Sequence, residues 1–196
     1  GTVMIRDIRA GPSSSNPSNL TNVSGVLYFT ATTDYNGTEL WKSDGTWAGT
    51  TVVKDIVVST GSSFPQQLVN VNGTLFFTAI DVTNGRELWK SDGTYAGTVL
   101  VKDIRSGNNT SSPSSLTAMN GALYFSAFDG TDTELWKSDG SAAGTVKLKD
   151  INASGSSNPG SLTVVSNLLY FSADDGINGA ELWKPDGTNA GTVNGH

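Results

Sequence analysis

The chain has 196 residues, only 36% of them apolar, with 23 glycines, no cysteine, one histidine and a net charge of −6. Without cysteine there is neither a disulfide framework nor a thiolate zinc site, and 12 Lys and Arg give no electrostatic footprint for nucleic acid. No apolar stretch approaches the roughly 20 residues that cross a bilayer, so no membrane insertion is expected.

The opening run Val3-Met4-Ile5-Arg6-Asp7-Ile8 is apolar and β-branched and predicts a strand. A polar loop containing Pro17 follows, then a strand from Leu20, the aromatic pair Tyr28-Phe29, the string Glu39-Leu40-Trp41-Lys42 and the turn Ser43-Asp44-Gly45-Thr46. The order then recurs with a period of about 47 residues, within the range of propellers and solenoids. Glu-Leu-Trp-Lys returns at Glu87–Lys90, Glu134–Lys137 and Glu181–Lys184, the aromatic pair at Phe76-Phe77, Tyr124-Phe125 and Tyr170-Phe171, and the proline at Pro65, Pro113 and Pro159. The repeats run over 1–48, 49–96, 97–143 and 144–190, with a stub at 191–196, and form a single repeat domain.

The third repeat shows the strands most plainly. Val99–Ile104 is a β-branched run closed by Ser106-Gly107-Asn108-Asn109, and Leu116–Met119 ends at the hairpin pair Asn120-Gly121. Ala122–Ala127 follows, bulky on both faces, and Glu134–Lys137 turns back through Ser138-Asp139-Gly140. Each repeat is thus a four-stranded antiparallel meander that cannot bury two apolar faces alone, so neighbours must stack on it. The predicted fold is an all-β propeller of four blades per chain. In that phase Val3–Ile8 is the outermost strand of a blade whose other strands come from the far end of a chain. It is expected to pair with Glu181–Lys184 as a Velcro closure, within one chain as a four-bladed ring or in a homodimer as an eight-bladed ring. The four tryptophans Trp41, Trp89, Trp136 and Trp183 are expected between blades.

The string Glu-Leu-Trp-Lys-Ser-Asp-Gly-Thr, followed by Ala-Gly-Thr and Val-Lys-Asp-Ile, resembles the bacterial ELWxxDGT-repeat family over residues 1–193. Pro185 and Ser141 are small departures from its motif. The resemblance implies propeller-type repeats in an extracellular or cell-surface protein, and brings no chemistry with it.

Catalysis by a Ser-His-Asp set needs an imidazole near the hydroxyl, and the only histidine is His196, beyond the repeats. The acids at Glu39, Glu87, Glu134 and Glu181, with Asp44, Asp92, Asp139 and Asp186, occur once per repeat, as structural residues do. The basic residues Arg6, Lys54, Lys102 and Lys149, with Lys42, Lys90, Lys137 and Lys184, are equally regular and predict ion pairs between blades. The chain is therefore expected to be no enzyme but a non-catalytic extracellular binding or scaffold module for a glycan or protein ligand. A carboxylate-dependent glycan hydrolase and a purely structural spacer are the alternatives. Strand alternation places the Asn-Gly and Ser-Asp-Gly-Thr turns on one face and the divergent loops on the other. Of the 18 Asp and Glu, the six out of phase are Asp34, Asp81, Asp129, Asp132, Asp174 and Asp175, all in loops preceding the Glu-Leu-Trp-Lys strands. They are candidate ligands for Ca²⁺ or a polyhydroxylated molecule, although no loop has the full alternating pattern of a calcium loop. Trp47 and Tyr95, in a slot held elsewhere by Ala142 and Asn189, are candidates for stacking on a sugar ring or a protein partner.

Overall fold

The repeated β-branched and aromatic runs form strands, and the Gly, Asn and Ser pairs between them reverse the chain. In a computed structural model, which describes residues 1–185 and the strand Thr192–Asn194, each repeat is a four-stranded meander. Asp186, Asn189 and His196 lie outside the described residues. The first sheet holds β1 (Ser18–Val23), β2 (Val26–Thr33), β3 (Gly37–Ser43) and β4 (Thr51–Lys54). The second holds β5 (Gln66–Val71), β6 (Thr74–Asp81), β7 (Gly85–Ser91) and β8 (Val99–Lys102). The third holds β9 (Ser114–Met119), β10 (Ala122–Phe128), β11 (Thr133–Ser138) and β12 (Val146–Lys149). The fourth holds β13 (Gly160–Val165), β14 (Leu168–Asp174), β15 (Ala180–Pro185) and β16 (Thr192–Asn194).

All strand pairs are antiparallel and sequential, so each sheet is a propeller-type blade. The blades stack in chain order through their first strands, with β1 beside β5, β5 beside β9, and β9 beside β13. Side chains stitch this inner row: Thr21 donates to the Leu68 carbonyl, Thr117 to the Leu162 carbonyl and Gln67 to the Pro113 carbonyl. A bulge near the start of each first strand puts Asn19, Gln67, Ser115 and Ser161 at φ between 52° and 55°.

No comparable contact joins β13 to β1 among the described residues, so the array has two open ends. The expected Velcro pairing is not formed. Residues 1–17 carry no strand, and the two edges of β15 are taken by β14 and β16. Physically, Gly191-Thr192-Val193 repeats Gly1-Thr2-Val3, so the chain's own next segment can fill the edge that Val3–Ile8 was expected to fill.

The core lies between blades. Val23, Tyr28, Leu40 and Val53 of the first blade meet Leu75, Phe77, Ala79 and Trp89 of the second. The second junction packs Val71, Phe76, Leu88 and Val101 against Leu123, Phe125, Ala127 and Trp136, and the third repeats the pattern as far as Trp183. All four repeated tryptophans are buried; Trp89, Trp136 and Trp183 lie between blades as expected, whereas Trp41 packs within the first blade beside Ile8 of the opening segment. Trp136 also donates its indole N–H to the Ala127 carbonyl at 3.2 Å. Replacing Trp136 with Ala should therefore destabilise the fold by about 3–5 kcal/mol. Urea unfolding of the variant would measure the loss, and a change below about 1 kcal/mol would contradict the junction as the main core.

Candidate functional site

The meanders send the β1–β2 and β3–β4 turns to one side of the array. The β2–β3 loops share the other side with the long crossovers 55–65, 103–113 and 150–159, as the sequence predicts. The two loop sets interlock: Thr38 N–H donates to Ser62 Oγ at 2.9 Å, Arg86 N–H to Thr110 Oγ1 at 3.1 Å and Thr133 N–H to Ser156 Oγ at 2.9 Å. Gly37, at φ +59°, is required here, because a Cβ would stand 1.8 Å from the Gly61 carbonyl oxygen.

The six out-of-phase aspartates lie on this side but do not converge. Asp81 accepts from the backbone of Thr83 and Asn84, and Asp175 from that of Ile177 and Asn178, so both close their own turns. Asp174 accepts from Gly176 N–H at 2.7 Å, and Asp34 pairs with Arg9. Only Asp129 and Asp132 meet, and they meet on Lys147, at 2.8 and 2.7 Å. Burial works against the Lys147 ammonium, yet the two carboxylates outweigh it and hold its pKa at about 12. Among the described residues no three His, Cys, Asp or Glu form a group that would hold a metal ion.

Trp47 and Tyr95 are exposed on the opposite side, Trp47 beneath Arg6 of the opening segment and Tyr95 beneath Lys54 of the preceding blade. The Arg6 guanidinium lies 4.6 Å from the Trp47 ring centre and Lys54 Nζ lies 4.7 Å from that of Tyr95. Tyr95 thus caps the junction of the first two blades, and Trp47 the seat of the opening segment on the first blade.

The regular charges do something other than the ion pairing expected of them. Lys42 donates to the Gly93 carbonyl, Lys54 to that of Thr98 and Lys102 to that of Thr145, at 2.7–2.8 Å. A carbonyl in the turn between the third and fourth strands of the next blade offers a fixed acceptor where a flexible carboxylate would need ordering. Glu39, Glu87 and Glu134 are fully buried. Glu39 accepts from Ile56 N–H, Ser63 N–H and Ser63 Oγ, all in the crossover to the second blade. Glu87 takes Ile104, Arg105 and Ser111 in the same way, and Glu134 takes Ile151 and Ser157. The clue in the sequence was the serine six or seven residues after each Lys/Arg-Asp-Ile isoleucine, a spacing that nothing local requires.

Burial is the largest influence on these carboxyls and outweighs their hydrogen bonds. It raises Glu39 and Glu87 from 4.5 to about 7, and raises Glu134 as well. Asp44, Asp92 and Asp139, exposed in their turns, are lowered by hydrogen bonds from Thr46, Thr94 and Ser141.

No family model matches the chain, and no curated protein matches it. One solved structure similar to it is a protein named Bacteroides ovatus Xyloglucan PUL GH43B, a glycoside hydrolase. The two are 15% identical, with a TM-score of 0.44, over 92% of this chain and 40% of that one, so this chain spans less than half of that protein's length. The expectation that the chain is no enzyme is overturned by that neighbour and is withdrawn. At this similarity the likeness brings no substrate and no residue role to the chain.

The glutamates set a pH dependence whose sign follows from the raised values. Between 4.5 and about 7 the folded chain holds protons at Glu39 and Glu87 that the unfolded chain releases. Their contribution is complete below 4.5 and is lost as pH rises through 7. The urea midpoint should be higher at pH 5 than at pH 8, and a Glu39→Gln, Glu87→Gln double variant should flatten that difference. An equally steep fall in the double variant would assign the effect to other groups.

Proposed function

We propose that the chain is a binding or scaffold module of the ELWxxDGT-repeat type, extracellular or at the cell surface, whose crossover-loop side takes a glycan or protein ligand. The observation that carries this reading is Phe64. It stands at a crossover position filled elsewhere by Asn16, Ser112 and Asn158, and all four have φ between 44° and 48°. Asn and Ser suit that left-handed backbone, whereas a bulky aromatic there is strained. Phe64 is nevertheless 49% exposed, so packing inside the chain does not account for it. An observed strain of this kind supports a role in binding.

The surroundings agree. The Phe64 backbone is held on both sides, its N–H donating to the Thr38 carbonyl and its own carbonyl accepting from Arg86 at 3.0 Å. Tyr35, Val58, Val82 and Ile177 are also exposed apolar residues in the loops of this side. Val58 replaces Ala10, Ser106 and Ala153 of the other repeats. Apolar residues displayed at divergent loop positions on a regular scaffold are the ordinary material of a recognition surface.

The reading predicts a trade between stability and binding. Phe64→Asn should stabilise the fold by about 1 kcal/mol, through relief of the left-handed strain, and weaken ligand capture about tenfold. A glycan array and a panel of extracellular proteins, each probed with the parent chain and the variant, would measure the second effect. Captured ligands that bind the variant as tightly as the parent would sink the assignment of this side.

A further inference from the structure

Every internal junction is assembled from the same parts, and the two ends of the array carry those parts singly. A junction needs a glutamate and a leucine from the earlier blade, and an isoleucine and a serine from the crossover beyond it. Glu39, Glu87 and Glu134 are fully buried in this role, whereas Glu181 is exposed. Leu40, Leu88 and Leu135 have no exposed surface, whereas Leu182 is 57% exposed. Val165 and Leu168 extend the same uncovered face of the fourth blade.

The other half lies at the start of the chain. Ile8 and Ser15 are spaced as Ile56 and Ser63, or Ile104 and Ser111, are. Ser15 is half-buried where Ser63, Ser111 and Ser157 are buried. Arg6 donates to the Thr50 carbonyl just as Lys54 donates to that of Thr98, so the opening segment already lies over the first blade as each crossover lies over the next. Ile8 packs on Phe29, Ala31 and Trp41. Beside it, an apolar hollow of about 240 Å³ is bounded by Ile5, Pro17, Leu20, Leu27 and Phe29.

We propose that a second copy of this chain completes the junction, docking its fourth blade on the first blade of its neighbour. The incoming Glu181 accepts from Ile8 N–H, Ser15 N–H and Ser15 Oγ, and the incoming Leu182 covers the hollow. Two complementary surfaces on one chain make a head-to-tail contact, which gives a closed ring if the rotation closes and a chain of copies if it does not. Val3–Arg6 and Thr192–Asn194 repeat one segment, and in the docked pair the longer, more apolar Val3–Arg6 takes the edge of β15.

Because Glu181 and Leu182 are exposed in the single chain, Leu182→Asp and Glu181→Lys leave the fold intact, and an unchanged circular dichroism spectrum verifies this. Sedimentation of the parent chain at high micromolar concentration should give twice 20.4 kDa or a larger multiple. Leu182→Asp and Glu181→Lys should each weaken that association about tenfold or more. Leu20→Asp, on the opposite surface, should do the same. A mixture of Leu182→Asp and Leu20→Asp chains retains one sound junction and should recover a species of two copies. A parent chain that stays at 20.4 kDa overturns the proposal. So does association indifferent to both variants, or a mixture that recovers nothing.

Discussion

A carboxyl group sealed between one blade and the crossover to the next is the constraint on which the rest of the array depends. Removing a carboxylate from water costs free energy unless donors surround it, and here each one is met by two or three backbone N–H groups and a hydroxyl. The donors come from two places in the crossover, one beside its isoleucine and one at its serine. A single side chain therefore fixes both ends of a long loop. With the loop fixed, the isoleucine is delivered into the interblade core and the next first strand starts at a set position. The raised Glu39 and Glu87 values show that burial still outweighs these bonds.

The repeated string can now be read residue by residue. In Glu87-Leu88-Trp89-Lys90 the glutamate holds the following crossover, the leucine faces the next blade and the tryptophan faces the previous one. In the turn that follows, Asp92 accepts from Thr94, the Thr94 hydroxyl accepts from Gly97 N–H, and Ser91 pairs with Thr98 inside the hairpin. The same bonds recur, within 0.1 Å, at Asp44 and Asp139. This turn is local chemistry, which is why the strands, the turns and the burial of the tryptophans were legible from the sequence alone.

What was not legible depends on groups distant along the chain. The bond from Lys54 to the Thr98 carbonyl spans 44 residues, and a repeated lysine looks the same whether its partner is a carboxylate or a carbonyl. Phe64 carries no distinguishing mark in the sequence, because its interest lies in a backbone angle. The out-of-phase aspartates formed a pattern in sequence, but their side chains are too short to reach across blades: Asp81, Asp174 and Asp175 turn back on their own loops and Asp34 meets Arg9. Asp129 and Asp132 differ because Lys147 stands in the fourth strand of its blade where the first two blades have Val52 and Leu100, and it meets both carboxylates. The outer edge of β15 was assigned to Val3–Ile8 because the first and last segments share a sequence, and that likeness cannot tell which copy occupies the place.

The identity of the three junctions also bears on how such a chain acquires its length. Since each repeat contributes a latch in one direction and a receptor in the other, a unit duplicated within the gene arrives already equipped to join both neighbours. Blade number is then written in no single repeat. It is left to the angle at which one blade sits on the next, so a small change of packing at the inner row would alter the number of copies a full circle takes without touching any latch.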